Sequence, residues 1–414
     1  MTATFFMRKF FVITLSLLAV LSCSKGNKMA DVSGLPMAME GAVKDGSDMS
    51  YAEPPMDGSG GQGVQVGAGI VTAGEWCDLD HWDFWSKLPG GLFKPYVEDW
   101  GFYTDQRIAV RVVGADGLPA CGVRVEVFRD DVSVWTSRTD NHGRAECWPA
   151  LYAPQAPAGA LSIAIAGQLQ EEAPKVTWLQ DGTVEVNTYE VSSYTEPSYA
   201  ADVAFIVDAT GSMSDELEFL KSDLSDIIGK VMQSQSGMKI RTGAVFYRDE
   251  GDEYVTLSSQ FNEELSVTRD FISRQSADGG GDFPEAVHTA LEASLQELSW
   301  SNTARSRIAF MLLDAPAHKT DEIRKSLQNS ISAYARAGIK LIPVSASGID
   351  KETEAMLRFF AIGTNATYTF ITNDSGVGND HIEATVGEYQ VEKLNELIIR
   401  LINYYTETVS AEAE

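Results

Sequence analysis

Cysteine and histidine are scarce in this sequence, and their spacing excludes the common zinc motifs. The 414 residues include 4 cysteines and 5 histidines. They form no C-x-x-C pair and no Cys/His zinc spacing. A G-x-S-x-G nucleophile motif is also absent, and no Lys-Ser/Thr follows the glycine run at residues 279–281. These absences argue against a zinc-finger protein, an α/β-hydrolase and a phosphate-binding loop.

Basic residues are also few. There are 32 Lys and Arg residues against 59 Asp and Glu residues, giving a formal net charge of −27 and a pI near 4.5. Such a chain repels nucleic acid and anionic membrane surfaces, and it suits divalent cations or basic partners. Solubility accounts for most of the acidic excess. The length suggests two or three domains, and the 44% hydrophobic content is enough for their cores.

The apolar run at the N-terminus is too short to span a membrane. Residues 10–21 are apolar and follow Arg8 and Lys9, which is the pattern of a targeting segment. The run ends in Val-Leu-Ser-Cys23, which resembles the end of a bacterial lipoprotein signal covering residues 1–23. The alternative is an ordinary secretory signal.

The lipoprotein resemblance implies that Cys23 is lipidated and becomes the first mature residue. Ser24 follows it instead of an aspartate, which implies the outer membrane, on its periplasmic or surface face. The protein would then touch the membrane through its lipid anchor only. Residues 24–74 are rich in Gly, Met, Asp, Ser and Pro without a periodic pattern, and they are predicted to form a disordered tether.

Residues 75–190 are predicted to form an aromatic lead-in followed by an all-β sandwich. Large aromatics mostly serve burial, so we favour burial of the lead-in over an exposed stacking platform. Short alternating segments from residue 108 onward predict the sandwich strands. Two stretches, Gly117-Leu-Pro-Ala-Cys-Gly122 and Thr139-Asp-Asn-His-Gly143, resemble prealbumin-like and carboxypeptidase-regulatory-like sandwiches. That resemblance implies a spacer or stabilising module.

An extracytoplasmic location would permit a disulfide. Cys121 and Cys147 fall near adjacent predicted strand ends and are the preferred pair, with Cys77 left as a thiol. The sequence alone leaves the pairing open.

Residues 201–409 alternate between strand and helix patterns, which predicts a doubly wound α/β domain with a parallel sheet. The apolar residues 203–207 predict a buried strand, followed directly by Asp208, Thr210 and Ser212. These side chains offer one carboxylate and two hydroxyls, which suit a hard cation such as magnesium. The alternative is a strand-to-helix turn in which a serine only caps the next helix.

A second predicted buried strand ends at Asp314. Together, Asp208-Ala-Thr210-Gly-Ser212 and Leu-Leu-Asp314-Ala resemble the metal-ion-dependent adhesion site of von Willebrand factor type A (VWA) domains. The resemblance implies a Rossmann-like fold and a bound Mg²⁺, Mn²⁺ or Ca²⁺ held by those four side chains. It also implies an open coordination position that accepts an acidic side chain from a protein partner.

The second loop departs from the family pattern, which has a threonine there. This chain reads Asp278-Gly-Gly-Gly281-Asp282-Phe-Pro-Glu285, and Asp282 is expected to approach the metal instead. An extra carboxylate would weaken the attraction of the metal for an acidic partner.

The lipoprotein and VWA resemblances together lead us to expect a lipid-anchored binding or adhesion protein without enzymatic activity. The alternative is an envelope assembly scaffold with a merely stabilising metal. A hydrolase built on Ser212, His318 and Asp314 is disfavoured.

Overall fold

The computed structural model describes residues 69–234, 237–281, 283–373 and 383–408. The predicted signal with Cys23, the tether up to residue 68 and Asp282 all lie outside the described residues. Within the described ranges, no helix is both long and apolar enough to cross a membrane.

The described chain begins with one strand and two short helices, followed by an all-β region. The first three elements are β1 (Thr72–Trp76), α1 (Trp82–Trp85) and α2 (Lys94–Trp100). The strands of the β region are β2 (Gln106–Gly114), β3 (Arg124–Arg129), β4 (Val132–Arg138), β5 (Arg144–Cys147), β6 (Leu161–Ile165), β7 (Gln168–Leu169), β8 (Thr177–Trp178) and β9 (Val186–Val191).

These strands form two four-stranded sheets. One has the order β5-β2-β8, with β9 also paired to β2, and the other has the order β4-β3-β6-β7. Alternate side chains of β2 and β3, such as Val110 and Val127, are buried in one shared core. The period of two in the sequence predicts this arrangement, because successive strand residues point to opposite faces of a sheet.

The rest of the chain is an eight-stranded mixed sheet with helices on both faces. The eighth strand is β1, and the other seven are β10 (Ser198–Asp208), β11 (Lys239–Tyr247), β12 (Thr256–Asn262), β13 (Ala304–Leu313), β14 (Ile339–Ser345), β15 (Tyr368–Ile371) and β16 (Glu392–Lys393). The order is β12-β11-β10-β13-β14-β15-β1-β16. Strands β10, β11, β13, β14 and β15 run parallel, and the flanking strands β12, β1 and β16 pair antiparallel.

Within the described residues, six helices cover this sheet: α3 (Ser214–Ser234), α4 (Leu265–Ser273), α5 (Val287–Gln296), α6 (Asp321–Ala337), α7 (Lys351–Gly363) and α8 (Leu394–Thr406). Helices α3, α4 and α8 share a core with one face, while α5, α6 and α7 share a core with the other face and the β region. Strand β10 serves both cores, since Phe205 points to the first and Ile206 to the second. Such burial on both faces explains its unbroken apolar run.

The lead-in belongs structurally to the large sheet. Strand β1 pairs antiparallel with β15, placing Ala73 opposite Ile371. Residues 72–74, which the sequence assigns to the tether, therefore lie in a strand. Polar and apolar residues do not alternate clearly in this five-residue strand. The sequence therefore does not predict it, and its position is defined by its pairing with the edge of β15. The aromatics Trp82, Trp85 and Trp100 are buried, in agreement with the burial interpretation.

A buried ion pair ties the lead-in to α7. Arg358 is 0% exposed, and its Nε donates to Asp78 Oδ2 at 2.8 Å, while its Nη2 donates to the second oxygen of the same carboxylate. The guanidinium also lies 5.2 Å from the Trp85 ring and 5.3 Å from the Phe93 ring. Removing Asp78 would leave Arg358 with only the more distant Glu354 carboxylate, 3.5 Å from its Nη1, to compensate a buried charge, which is strongly destabilising.

The three described cysteines are free thiols. The Cys121 thiol donates to the Arg305 carbonyl at 3.4 Å, whereas the Cys147 sulfur lies 3.3 Å from the Ser137 hydroxyl. The Cys121–Cys147 disulfide preferred from the sequence is therefore not formed, because each sulfur is buried beside a different element. Their nearness along the predicted strands does not bring the two side chains together.

Candidate metal centre

Asp208 ends β10 at the point where the strand order of the sheet changes direction. Strand β10 has β11 on one side and β13 on the other, and all three run parallel. Ligands of open α/β sheets bind outside the carboxyl ends of the strands at such a switch point. Asp208 is therefore in the position where this fold places a ligand.

The Asp208 carboxylate is 0% exposed, and only one of its two oxygens accepts hydrogen bonds from Thr210. Its Oδ1 accepts from the Thr210 backbone N–H at 2.9 Å and from the Thr210 hydroxyl at 2.7 Å. Its Oδ2 is buried and has no hydrogen-bond partner among the described residues. Burial, followed by the charge of Asp314, raises the pKa of Asp208 to about 7. A buried carboxylate of this kind holds a proton or needs a cation.

Asp314 and Ser212 complete the arrangement from the neighbouring loops. Asp314 directly follows β13, and its Oδ1 is buried without a partner in the described structure. Burial raises the pKa of Asp314, and the Ser212 hydroxyl offsets part of that rise. The Thr210 and Ser212 hydroxyl oxygens lie 3.4 Å apart. The structure thus brings together Asp208, Thr210, Ser212 and Asp314.

The glycine-rich second loop packs directly on the first. The Asp278 N–H donates to the Ala209 carbonyl at 3.0 Å, and the Gly211 N–H donates to the Gly279 carbonyl at 3.2 Å. Gly280 has a φ of +70°, and a Cβ there would lie 3.2 Å from the Thr210 Cβ. A glycine is therefore required for this close approach.

The sequence of this region matches a known family over much of the second part of the chain. Residues 202–359 match the family model of the von Willebrand factor A domain. This stretch is a VWA domain.

Two curated proteins are similar to the chain over about a third of its length. An ariadne-like RING finger protein from Acanthamoeba polyphaga mimivirus is 33% identical over 131 residues, which is 32% of this chain and 12% of that protein. The alpha-protein kinase vwkA from Dictyostelium discoideum is 30% identical over 145 residues, which is 35% of this chain and 23% of that protein. The chain therefore spans less than a quarter of either relative.

Two solved structures are similar over half of the chain. The protein BatB from Bacteroides thetaiotaomicron is 12% identical, with a TM-score of 0.33, and the match covers 50% of this chain and 98% of that one. An aerotolerance-related membrane protein from Bacteroides fragilis is 13% identical, with a TM-score of 0.31, covering 50% and 100% respectively.

Glu285 is a further acid in the VWA site, and sequence reasoning gave it no role. Its side chain is 3% exposed, and its Oε2 is buried with no partner in the described residues. A Cβ on Gly280 would lie 3.1 Å from Glu285 Oε1, so this carboxylate faces the second loop. Burial, then the charge of Asp208, raises the pKa of Glu285 to about 9. An acid shortly before a helix is common, so the sequence offers no signal that singles out Glu285.

The oxygens of the VWA site fit a hard cation. Asp208 Oδ2, Glu285 Oε2 and Asp314 Oδ1 are all buried without a well-formed hydrogen bond within the described ranges, and the Tyr247 hydroxyl at the end of β11 lies close enough to Asp208 to lower the pKa of that carboxyl. In the same ranges, no group of three or more His, Cys, Asp or Glu side chains is arranged as a ready metal site. Together with the hydroxyls of Thr210 and Ser212, the acid oxygens would form a donor set that suits magnesium, manganese or calcium.

His318 contacts an acid of the loops beside the VWA site. His318 Nε2 lies 2.8 Å from Asp249 Oδ1. The Asp249 N–H in turn donates to Asp252 Oδ2 at 3.1 Å, and the same oxygen accepts from the Gly280 N–H at 3.0 Å. This chain of contacts links His318 to the second loop.

Proposed function

We propose that the VWA domain binds a divalent cation, with magnesium the first candidate, and uses it to engage a protein partner. Asp208, Thr210, Ser212 and Asp314 would hold the cation directly or through water. The observation that carries this proposal is the set of buried, unpartnered acid oxygens at the switch point of the sheet. When bound, the cation would supply positive charge that compensates these carboxylates.

We infer that Glu285 joins this shell from the second loop, where family members carry a threonine. Its unpartnered Oε2 faces the same acids that raise its pKa, and the cation would relieve that repulsion. Asp282 stays a candidate from the sequence. Each added carboxylate neutralises more of the metal charge, so the grip on an acidic side chain of a partner would be weaker than with a threonine.

An exposed aromatic side chain beside the site would supply further partner contact. Phe283 is 46% exposed and lies between the glycine-rich turn and Glu285. Ser212 is also exposed and marks the open side of the site. Interfaces gain much of their affinity from aromatic residues that become buried on binding. The partner would therefore present a carboxylate to the metal and an apolar contact to Phe283.

The proposed setting is the cell envelope. Lipidation at Cys23 would anchor the chain in the outer membrane, and the residues before β1 would form the tether. The lipid would make the membrane contact, and the strongly acidic chain would not bind nucleic acid. Strand β1 would transmit any pull on the tether directly to the large sheet.

A binding role fits the site better than hydrolysis. His318 pairs with Asp249, while Ser212 neighbours Asp314 and Thr210. A serine nucleophile needs a histidine within hydrogen-bond reach as its base. The proposed role is therefore not enzymatic.

Capture of partners from envelope extract tests the proposal. The wild-type protein is immobilised and compared in Mg²⁺ and in EDTA, beside Asp208→Ala and Phe283→Ala. We expect a partner retained only in Mg²⁺, lost with Asp208→Ala and weakened about tenfold or more with Phe283→Ala. Calorimetric Mg²⁺ binding should be lost in Asp208→Ala and unchanged in Phe283→Ala.

Two outcomes would redirect the interpretation. A partner that is retained equally in EDTA and by Asp208→Ala would support the assembly scaffold with a stabilising metal. Mg²⁺ binding by Asp208→Ala at wild-type affinity would show that the assignment of the metal site is wrong.

A further inference from the structure

A small cavity lies between the β region and the far end of the VWA domain. Its volume is about 30 Å³, and it is lined by the end of β4, the start of β13 and residues near the start of β14. A water molecule needs about 10–15 Å³ by the same measure, so about two waters or one monatomic ion would fit. The charged side chains that line it are Arg138, Asp140, Glu146, Arg305, Arg307 and Lys340.

Three arginines around this cavity make hydrogen bonds only to neutral groups. Arg138 Nη1 donates to the Gly122 carbonyl at 3.0 Å, and Arg305 Nη1 donates to the Thr408 hydroxyl at 2.6 Å. Arg307 Nε donates to the Ser301 carbonyl. None of the three arginines forms an ion pair with a described residue.

The two acids that line the cavity already have charged partners. Both oxygens of Glu146 accept from Arg107 at 2.8 Å. Asp140 Oδ2 lies 3.1 Å from Lys340 Nζ, and Asp140 Oδ1 accepts two backbone N–H groups of its own turn. Neither acid is therefore available to compensate the arginines.

Arg307 is the buried member of the cluster, whereas Arg138 and Arg305 are half-buried and Arg305 also lies 5.1 Å from the Tyr199 ring. Arg307 is 7% exposed, and burial together with the nearby Arg138 lowers its pKa, although Asp202, which is itself paired with Arg241, offsets part of that shift. Arg305 Nε is also buried and has no partner among the described residues. The chain as a whole carries 27 more negative than positive charges, so a scarcity of acids does not explain the cluster. A buried cation of this kind is costly unless an anion accompanies it.

We propose that this cavity is a binding site for a small monovalent inorganic anion of the size of chloride. Arg138, Arg305 and Arg307 provide its charge-assisted donors. The anion joins β4 of the β region to β13 of the VWA domain. The arginine stem at position 138 is held in place by Gly338, where a Cβ would approach within 3.0 Å of the Arg138 Cβ. This site is independent of the proposed metal centre.

Thermal unfolding of the purified protein at constant ionic strength tests the site. Sodium gluconate is replaced stepwise by sodium chloride, bromide or phosphate, for the wild type, Arg307→Gln and the control Arg274→Gln. Arg274 is exposed at the end of α4, remote in sequence from the cavity. We expect chloride and bromide to raise the wild-type and Arg274→Gln midpoints by about 3 °C or more.

The Arg307→Gln variant shows whether Arg307 binds an anion or only supports the surrounding structure. In gluconate it should be at least as stable as the wild type, because the unpaired charge is gone, and chloride should no longer raise its midpoint. Equal midpoints of the wild type in chloride and gluconate would overturn the proposal, since water alone would then fill the cavity. A rise with phosphate but not with chloride would overturn the monatomic assignment.

A second measurement covers the case in which Arg307→Gln does not fold. Crystals of the wild-type protein soaked in bromide should show an anomalous peak between Arg138, Arg305 and Arg307. The absence of a peak there, with peaks at other surface positions, would contradict the proposal.

Discussion

Replacing Asp208 by asparagine should stabilise the metal-free protein at pH 8, although Asp208 is a proposed metal ligand. The asparagine oxygen can still accept the two hydrogen bonds that Thr210 donates to Asp208 Oδ1. The change removes a buried negative charge that has Asp314 as its neighbour. The variant therefore loses electrostatic strain and keeps the geometry of the loop.

The expected difference in the free energy of unfolding between the variant and the wild type follows from the pKa of Asp208. The pKa rises from 3.8 in the unfolded chain to about 7 in the fold, and each pH unit corresponds to about 1.4 kcal/mol. Because the pKa of Asp208 is higher in the folded protein than in the unfolded chain, the protein is most stable with respect to this group below pH 3.8. That part of the free energy of unfolding is lost as the pH rises through 7. At pH 8 the loss is about 4 kcal/mol, and at pH 5 it is about 2 kcal/mol. The asparagine variant avoids it.

Urea unfolding followed by tryptophan fluorescence measures this difference in EDTA at pH 5 and pH 8. We expect Asp208→Asn to exceed the wild type by about 4 kcal/mol at pH 8 and by about half as much at pH 5. Excess Mg²⁺ should stabilise the wild type alone, by about 2.7 kcal/mol at 100 times the Kd, so the gap narrows. The control Asp270→Asn, an exposed residue paired with Arg269, should change stability by less than about 0.5 kcal/mol. The reasoning is refuted if Asp208→Asn is the less stable protein at pH 8 in EDTA.

The raised pKa of Asp208 also predicts how metal binding depends on pH. The ion pair between Asp78 in the lead-in and Arg358 in α7 allows a separate test of the fold. Mg²⁺ must displace a proton from Glu285 below pH 9 and also one from Asp208 below pH 7, so its affinity should fall by up to about tenfold per pH unit for each proton, with proton release visible by calorimetry in buffers of different ionisation enthalpy. Asp78→Ala removes the bidentate partner of the buried Arg358 and leaves only Glu354 at 3.5 Å, so it should reduce the free energy of unfolding by about 3 kcal/mol in urea. Asp80→Ala removes an exposed carboxylate 4.0 Å from Arg144 and should have little effect; equal losses in the two variants would contradict the role of the ion pair.

Periodicity in the sequence located the elements that bury a regular face. The apolar runs before Asp208 and Asp314 predict two parallel strands, and β10 and β13 lie side by side in the large sheet. The alternating segments predict the strands of the β region in the same way. Helix α4 was not predicted, because its nine residues bury only Thr268 and Ile272 and leave a weak pattern.

Features that depend on distant parts of the chain were not predictable. Strand β1 is defined by the edge of β15, almost 300 residues away in sequence. The disulfide interpretation used strand positions, while the structure directs Cys121 and Cys147 to different neighbours. The role of Glu285 becomes visible only when its carboxylate lies buried beside Asp208, since an acid before a helix is common in sequence.

Strand β13 connects two charges of opposite sign that the chain itself leaves uncompensated. Arg307 lies near its first residues and Asp314 follows its last one. At ~3.3 Å per residue the two side chains are about 20 Å apart, where an effective dielectric constant of ~20 leaves an attraction of only about 1 kcal/mol. Direct attraction between them therefore contributes little, and each charge needs its own local counter-ion. Cation and anion binding should stabilise the fold additively, because neither site shares a contact with the other.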